Sequence, residues 1–157
     1  MTTKLTPHFT LEEMTFSATA KKFNILNEPT APQIENLKYL CSEILEPLRS
    51  YYEDKGIRVT SGFRSPTLSE KIGSSKNSQH CQGCACDFTI PGFDNRNVAS
   101  HIKNNFIFDQ LILEFYTPGI PDSGWVHVSY KSEGNRKSIL TAMKENGKTV
   151  YKPGLIQ

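Results

Sequence analysis

No apolar run in these 157 residues exceeds three, Leu111 to Leu113 being typical. A membrane-spanning helix needs roughly 20 such residues in succession, so none is expected. The opening Met1-Thr2-Thr3-Lys4 carries no apolar stretch of the kind that marks a secretory signal, which points to synthesis in the cytoplasm. Charge of one sign is not in excess either. Eighteen Lys and Arg against 16 Asp and Glu leave +2, advertising neither a polyanion-binding surface nor an acidic tail. Neither a nucleic-acid nor a membrane partner is therefore expected. Repeats, low-complexity stretches and linkers are missing as well, so residues 1–157 read as one domain, expected to act as a monomer. The AVILMFWYC share of 37% is enough to build its core without a coiled-coil or collagenous design.

Cysteines number four, at 41, 81, 84 and 86. An exported disulfide scaffold would be smaller, with its cysteines spread along the chain. Cys84 and Cys86 alternate with Ala85 and Asp87 along an expected strand and read best as small buried side chains in a reducing compartment. The competing reading is metal binding by Cys81-x-x-Cys84-x-Cys86. A structural zinc site draws four ligands from two paired clusters, and a second cluster is missing here.

What is present suggests helices first and strands after. Thr10-Leu11-Glu12-Glu13 has the form of a capping box and should open a short helix. Thr30-Ala31-Pro32-Gln33 repeats the signal, with proline near the first helical position. Behind it Ile34, Leu37, Cys41, Ile44, Leu45, Leu48 and Tyr52 recur at three- and four-residue intervals, an amphipathic stripe. Pro47 interrupts the stripe and predicts a kink or break there. Strands are expected over 57–61, 84–90, 109–115 and 125–130, and a helix over 95–104. A loop with one helical turn after Pro66 should fill 63–79. Asn146-Gly147, between strands at 139–144 and 148–151, signals a hairpin. The pattern is α+β, with amino-terminal helices packed on a mostly antiparallel sheet.

Of the histidines at 8, 80, 101 and 127, two stand where they could meet a carboxylate. His80 lies seven residues before Asp87, and Gly83 between them permits a tight turn. His127 lies in Trp125-Val126-His127-Val128-Ser129, where alternation puts Val126 and Val128 on one face and Trp125, His127 and Ser129 on the other. Two imidazoles and one carboxylate make a three-ligand zinc set that keeps a fourth position open, as catalytic sites do. His and Asp alone fit ordinary polar contacts equally well. His8 and His101 read as surface residues.

Ser78-Gln79-His80-Cys81-Gln82-Gly83-Cys84-Ala85-Cys86-Asp87 is similar to Ser-x-His-x-x-Gly-x-Ala-x-Asp, the signature of zinc D-Ala-D-Ala carboxypeptidases. Their relatives include phage L-alanoyl-D-glutamate endolysins and, in fold, the Hedgehog signalling domain. Ser61-Gly62-Phe63-Arg64-Ser65 resembles the family's Ser-Gly-Tyr-Arg-Ser segment, and Trp125-Val126-His127 its closing Trp-x-His. Phe9–Glu13 and Asp109–Glu114 are similar to flanking segments of the phage- and prophage-type branch. The resemblance runs from Phe9 to the region of Ile139. It implies a Hedgehog/D-Ala-D-Ala peptidase fold and a zinc metallopeptidase acting on bacterial peptidoglycan stem or cross-link peptides, such as a phage or prophage endolysin that reaches the cell wall after release. It also implies roles for single residues. His80, Asp87 and His127 match the Zn²⁺ ligands, and Arg64 matches an arginine that steadies the substrate carbonyl or carboxylate. Ser78 matches a residue that bonds substrate or supports the ligands, and Trp125, which flanks the last ligand, is expected to floor the cleft that binds substrate or to pack beneath the metal. Many members carry an acid three positions before the final histidine, where this chain has Gly124. Glu114 matches the general base of the phage-type branch, with Asp122 in reserve. Two other readings remain: a Hedgehog-like binding domain that keeps zinc without catalysis, and a zinc-knuckle nucleic-acid binder built on Cys81, Cys84, Cys86 and His80.

Overall fold

In the computed structural model of the chain, which describes residues 2–156, both capping boxes form. The Thr10 hydroxyl accepts from the Glu13 amide at 3.1 Å and opens helix α1 (Leu11–Thr15). At α3 (Ala31–Leu40) Gln33 Oε1 accepts the Thr30 amide at 2.8 Å. Between them lies a short helix α2 (Ala18–Lys22), capped by Ser17. Neither α2 nor the small hairpin of β1 (Lys4–Thr6) and β2 (Phe9–Thr10) is expected from the sequence. At two to five residues each, these elements are too short to leave a periodic pattern.

The helical run is not broken at Pro47. A π turn at Cys41–Leu45 precedes α4 (Glu46–Tyr51), and the Glu46 amide bonds the Cys41 carbonyl five residues back. That extra residue shifts the ladder so that Pro47 falls in the first turn of α4, where a missing N–H costs little. The stripe therefore stays in register across the proline. Leu37, Cys41, Ile44, Leu45 and Leu48 are all fully buried, each large aliphatic contributing about 1.5–3 kcal/mol.

The chain continues through β3 (Arg58–Ser61), α5 (Pro66–Lys71), a 3₁₀ turn at Gln79–Gln82, β4 (Ala85–Thr89), α6 (Asn95–Asn105), β5 (Gln110–Glu114), β6 (Trp125–Ser129), β7 (Ser138–Glu145) and β8 (Lys148–Pro153). The six strands β3 to β8 form one sheet in the order β3-β4-β6-β5-β7-β8. Every pair is antiparallel except β5 with β7. The fold is thus α+β with a mostly antiparallel sheet. Asn146 and Gly147 both have positive φ, 52° and 76°, the backbone of a two-residue hairpin turn joining β7 to β8.

Alternation divides this sheet into two faces with different work. Cys86, Phe88, Leu111, Leu113, Val126 and Val128 turn toward the helical stripe and join the hydrophobic core, with Val98, Ala99 and Ile102 of α6. Their neighbours Asp87, Gln110, Ile112, Glu114, Trp125 and His127 line a cleft on the opposite face. Register aligns those neighbours in rows: Asp87 opposite His127, His127 opposite Ile112, and Trp125 opposite Glu114. Among the described residues no helix is long and apolar enough to cross a membrane.

Candidate metal centre

His80 reaches the sheet from the 3₁₀ turn rather than from a strand. Ser78 caps that turn, its hydroxyl accepting the His80 amide at 3.2 Å. Gly83 ends it with φ of 76°, a left-handed backbone that a side chain would strain. The ring Nδ1 of His80 lies 2.8 Å from the Gly62 carbonyl. A carbonyl only accepts, so Nδ1 carries the proton and the Nε2 lone pair is left for a cation. Nε2 lies 3.4 Å from Asp87 Oδ1, and His127 Nδ1 lies 3.0 Å from the same oxygen. One ligand atom from each of the three residues falls within 4.8 Å of the others.

These spacings suit a metal. Tetrahedral zinc with bonds near 2.0–2.2 Å holds neighbouring donors about 3.4 Å apart. The charges suit one too. Burial pushes the His80 pKa down, away from the imidazolium. Burial would raise Asp87, but the hydrogen bond with His127 and the neighbouring His80 ring outweigh it and hold the carboxyl below the usual carboxylate range. An ionised carboxylate beside a neutral imidazole, with the ligand atoms turned together, is a donor set for a divalent cation.

The cleft around these ligands has a volume of about 510 Å³ and also holds Arg64, Ser78, Glu114 and Trp125. The Trp125 indole N–H donates to Glu114 Oε2 at 2.7 Å. The Glu114 pKa is raised by burial and by the Asp87 charge, against the pull of His127, Trp125 and Arg64. Phe115, the next residue, has φ of 57°, so β5 turns away sharply just after the carboxylate. Gly124 explains why no acid stands three positions before His127. Its φ is 62° and an added Cβ would run into the Glu114 carbonyl oxygen, so the space is taken by the strand that carries Glu114. Asp122 lies in another pocket, with Arg58 and Asn95, and does not line the cleft.

Arg64 is held by its backbone, whose amide donates to the His80 carbonyl at 3.1 Å. Asn27 clamps the same loop, bonding the carbonyls of Thr15 and Phe63 at 2.8 and 3.0 Å and accepting the Ser65 amide at 2.7 Å. Within the cleft wall, the buried Arg64 Nε has no hydrogen-bond partner among the described residues. Ser78 both lines the cleft and caps the turn that carries His80.

Sequence reasoning missed several residues. Asn27 left no motif, and Gln79, Arg136 and Tyr151 also line the cleft. Tyr151 reaches it because β8 pairs Tyr151 with Ala142, which itself lies opposite Glu114. That signal exists only after strand order is known. His8 pairs with Glu46 at 2.7 Å and His101 stacks on Tyr51 at 3.6 Å, both outside the cleft. The four cysteines are free and buried. Burial raises the Cys41 thiol to about 12 and pushes Cys86 well up, and among the described residues no cysteine joins the group formed by His80, Asp87 and His127.

Residues 7–129 match the family described as Peptidase M15. No curated protein matches the chain.

Proposed function

The chain belongs to the peptidase M15 family, and from that premise we propose that it is a zinc peptidase that hydrolyses an amide bond in the peptides of bacterial peptidoglycan. The observation that carries the proposal is the convergence of His80, Asp87 and His127 in one cleft with Glu114 and Arg64. His80 Nε2, Asp87 Oδ1 and His127 Nδ1 would hold the ion. When bound, Zn²⁺ lowers the pKa of a coordinated water to about 7 and polarises a carbonyl oxygen.

The chain's own residues supply the remaining chemistry. Glu114 is the general base. Trp125 fixes its Oε2, which leaves Oε1 to take a proton from the attacking water and return it to the departing amine nitrogen. Burial and the nearby Asp87 raise its pKa, bringing base strength closer to the working pH than an exposed glutamate would have. Arg64 presents a planar guanidinium from a loop tied to the His80 carbonyl, suited to two parallel bonds with a substrate carboxylate. Ser78 and the Gly62 carbonyl orient His80. The reading of a zinc-holding domain without catalysis rested on Gly124, and Glu114 answers it with a carboxylate in the same cleft. Similarity of Phe9–Glu13 and Asp109–Glu114 to the phage-type branch favours an endolysin, made in the cytoplasm and acting on the wall after release.

Mass spectrometry of fragments released from purified peptidoglycan, with and without chelator, tests the proposal. New chelator-sensitive termini at L-Ala–D-Glu, D-Ala–diamino acid or D-Ala–D-Ala bonds are expected and name the bond. No fragments from zinc-loaded protein would overturn it.

A further inference from the structure

A second arginine stands in the same cleft, in the part of the chain beyond the matched residues 7–129. Arg136 precedes β7, and its guanidinium is locked rather than free. Nε bonds Asp109 Oδ1 at 3.0 Å and Nη2 bonds Asp109 Oδ2 at 2.7 Å, while the Arg136 amide donates to Oδ1 at 3.1 Å. Asp109 is completely buried, whereas the Arg136 side chain is 58% exposed. The same Asp109 accepts Gln79 Nε2 at 2.8 Å, next door to His80 on the 3₁₀ turn. Lys131 Nζ lies 3.7 Å from Asp109, so two cations share one carboxylate and the cluster keeps a positive charge. A guanidinium has five N–H donors and Asp109 takes two, which leaves three in a fixed orientation.

Sheet order sets where this group stands relative to the first arginine. Arg64 follows β3 on one flank of the β4-β6 pair that carries Asp87 and His127. Arg136 lies on the other flank, bonded to Asp109 at the start of β5. A peptide whose scissile amide meets the metal ligands would have Arg64 on one side and Arg136 on the other.

We propose that Arg136, oriented by Asp109, is a second carboxylate-binding residue, and that the preferred substrate is an acidic peptide with a free carboxylate on each side of the bond that is cut. This rests on the peptidase reading above. Pre-orientation is the reason for expecting an effect from an exposed group, because the cost of ordering a long side chain is already met within the fold.

The test uses two synthetic peptides sharing the scissile bond and the carboxylate toward Arg64. One keeps the second carboxylate and the other carries a carboxamide there. Zinc-loaded wild-type protein is expected to favour the carboxylate peptide by about tenfold in kcat/KM, mostly through KM, as for a hydrogen bond to a charged group. Arg136→Gln should bring that ratio to about one, and Arg136→Lys, which keeps a cation beside Asp109 and so protects the fold, should lose at least about threefold of it. A wild-type ratio near one, or a ratio untouched by Arg136→Lys, would overturn the proposal. Calorimetric binding of the same pair to Glu114→Gln protein reads the preference without turnover. Preference in binding without cleavage by the wild type would sink the peptidase reading and support the subsite; cleavage without preference would sink the subsite alone.

Discussion

Asp87 and Asp109 are the same residue type on neighbouring parts of one sheet, and both are held below the usual carboxylate range. Their partners differ. Asp109 meets a guanidinium fork, an amide and an ammonium group, so its charge is matched within the chain. Asp87 meets two imidazoles through ring nitrogens, one of which burial keeps from protonating. A buried carboxylate answered by arginine is part of the architecture. One answered by imidazole nitrogens, which can give lone pairs to a metal, is suited to a cation from outside. A depressed pKa does not separate the two cases, but the identity of the partner does.

The largest effect expected from this contrast is at the ligands. His80→Ala or His127→Ala should abolish zinc binding and reduce hydrolysis to background, checked by metal analysis beside fragment release. Glu114→Gln comes next: zinc content unchanged, kcat lower by roughly 10²- to 10⁴-fold, the span of general base catalysis. Full activity there would remove Glu114 from the mechanism.

Stability then sharpens the comparison. Asp109→Asn should cost about 3 kcal/mol in denaturant unfolding, because it leaves the Arg136 and Gln79 donors without their anion. Asp87→Asn in chelator-stripped protein should cost clearly less. Equal losses would erase the distinction drawn between them. The Arg136 hydrogen bond holds the folded Asp109 pKa below its unfolded value near 4. Its contribution is therefore complete above about pH 4 and lost as pH falls through the folded value. Asp109→Asn should flatten the acid limb of the stability profile. The smallest effect is at the cysteines: Cys81→Ala and Cys84→Ala should leave zinc stoichiometry unchanged and shift stability by about 1 kcal/mol.

Much of this was legible in the residues themselves. Helix starts were readable because a capping box is a local contact, and the metal face was readable because alternation is a property of one strand. The unbroken run across Pro47 was not legible, because the π turn at Cys41–Leu45 that puts the proline in a first turn leaves no mark in the residue spacing. Asp109 and Arg136 were invisible as a pair, since 27 residues separate them and only the parallel β5–β7 pairing brings their segments together. Asn27, too, acts on a loop 36 residues away.

The central claim is one divalent ion held by His80, Asp87 and His127, and equilibrium zinc titration of chelator-stripped protein against a competing indicator tests it most directly. One equivalent bound by the wild type, with none detectable for His127→Ala, is the predicted result. An unchanged equivalent in His127→Ala, or no binding by the wild type, would contradict it.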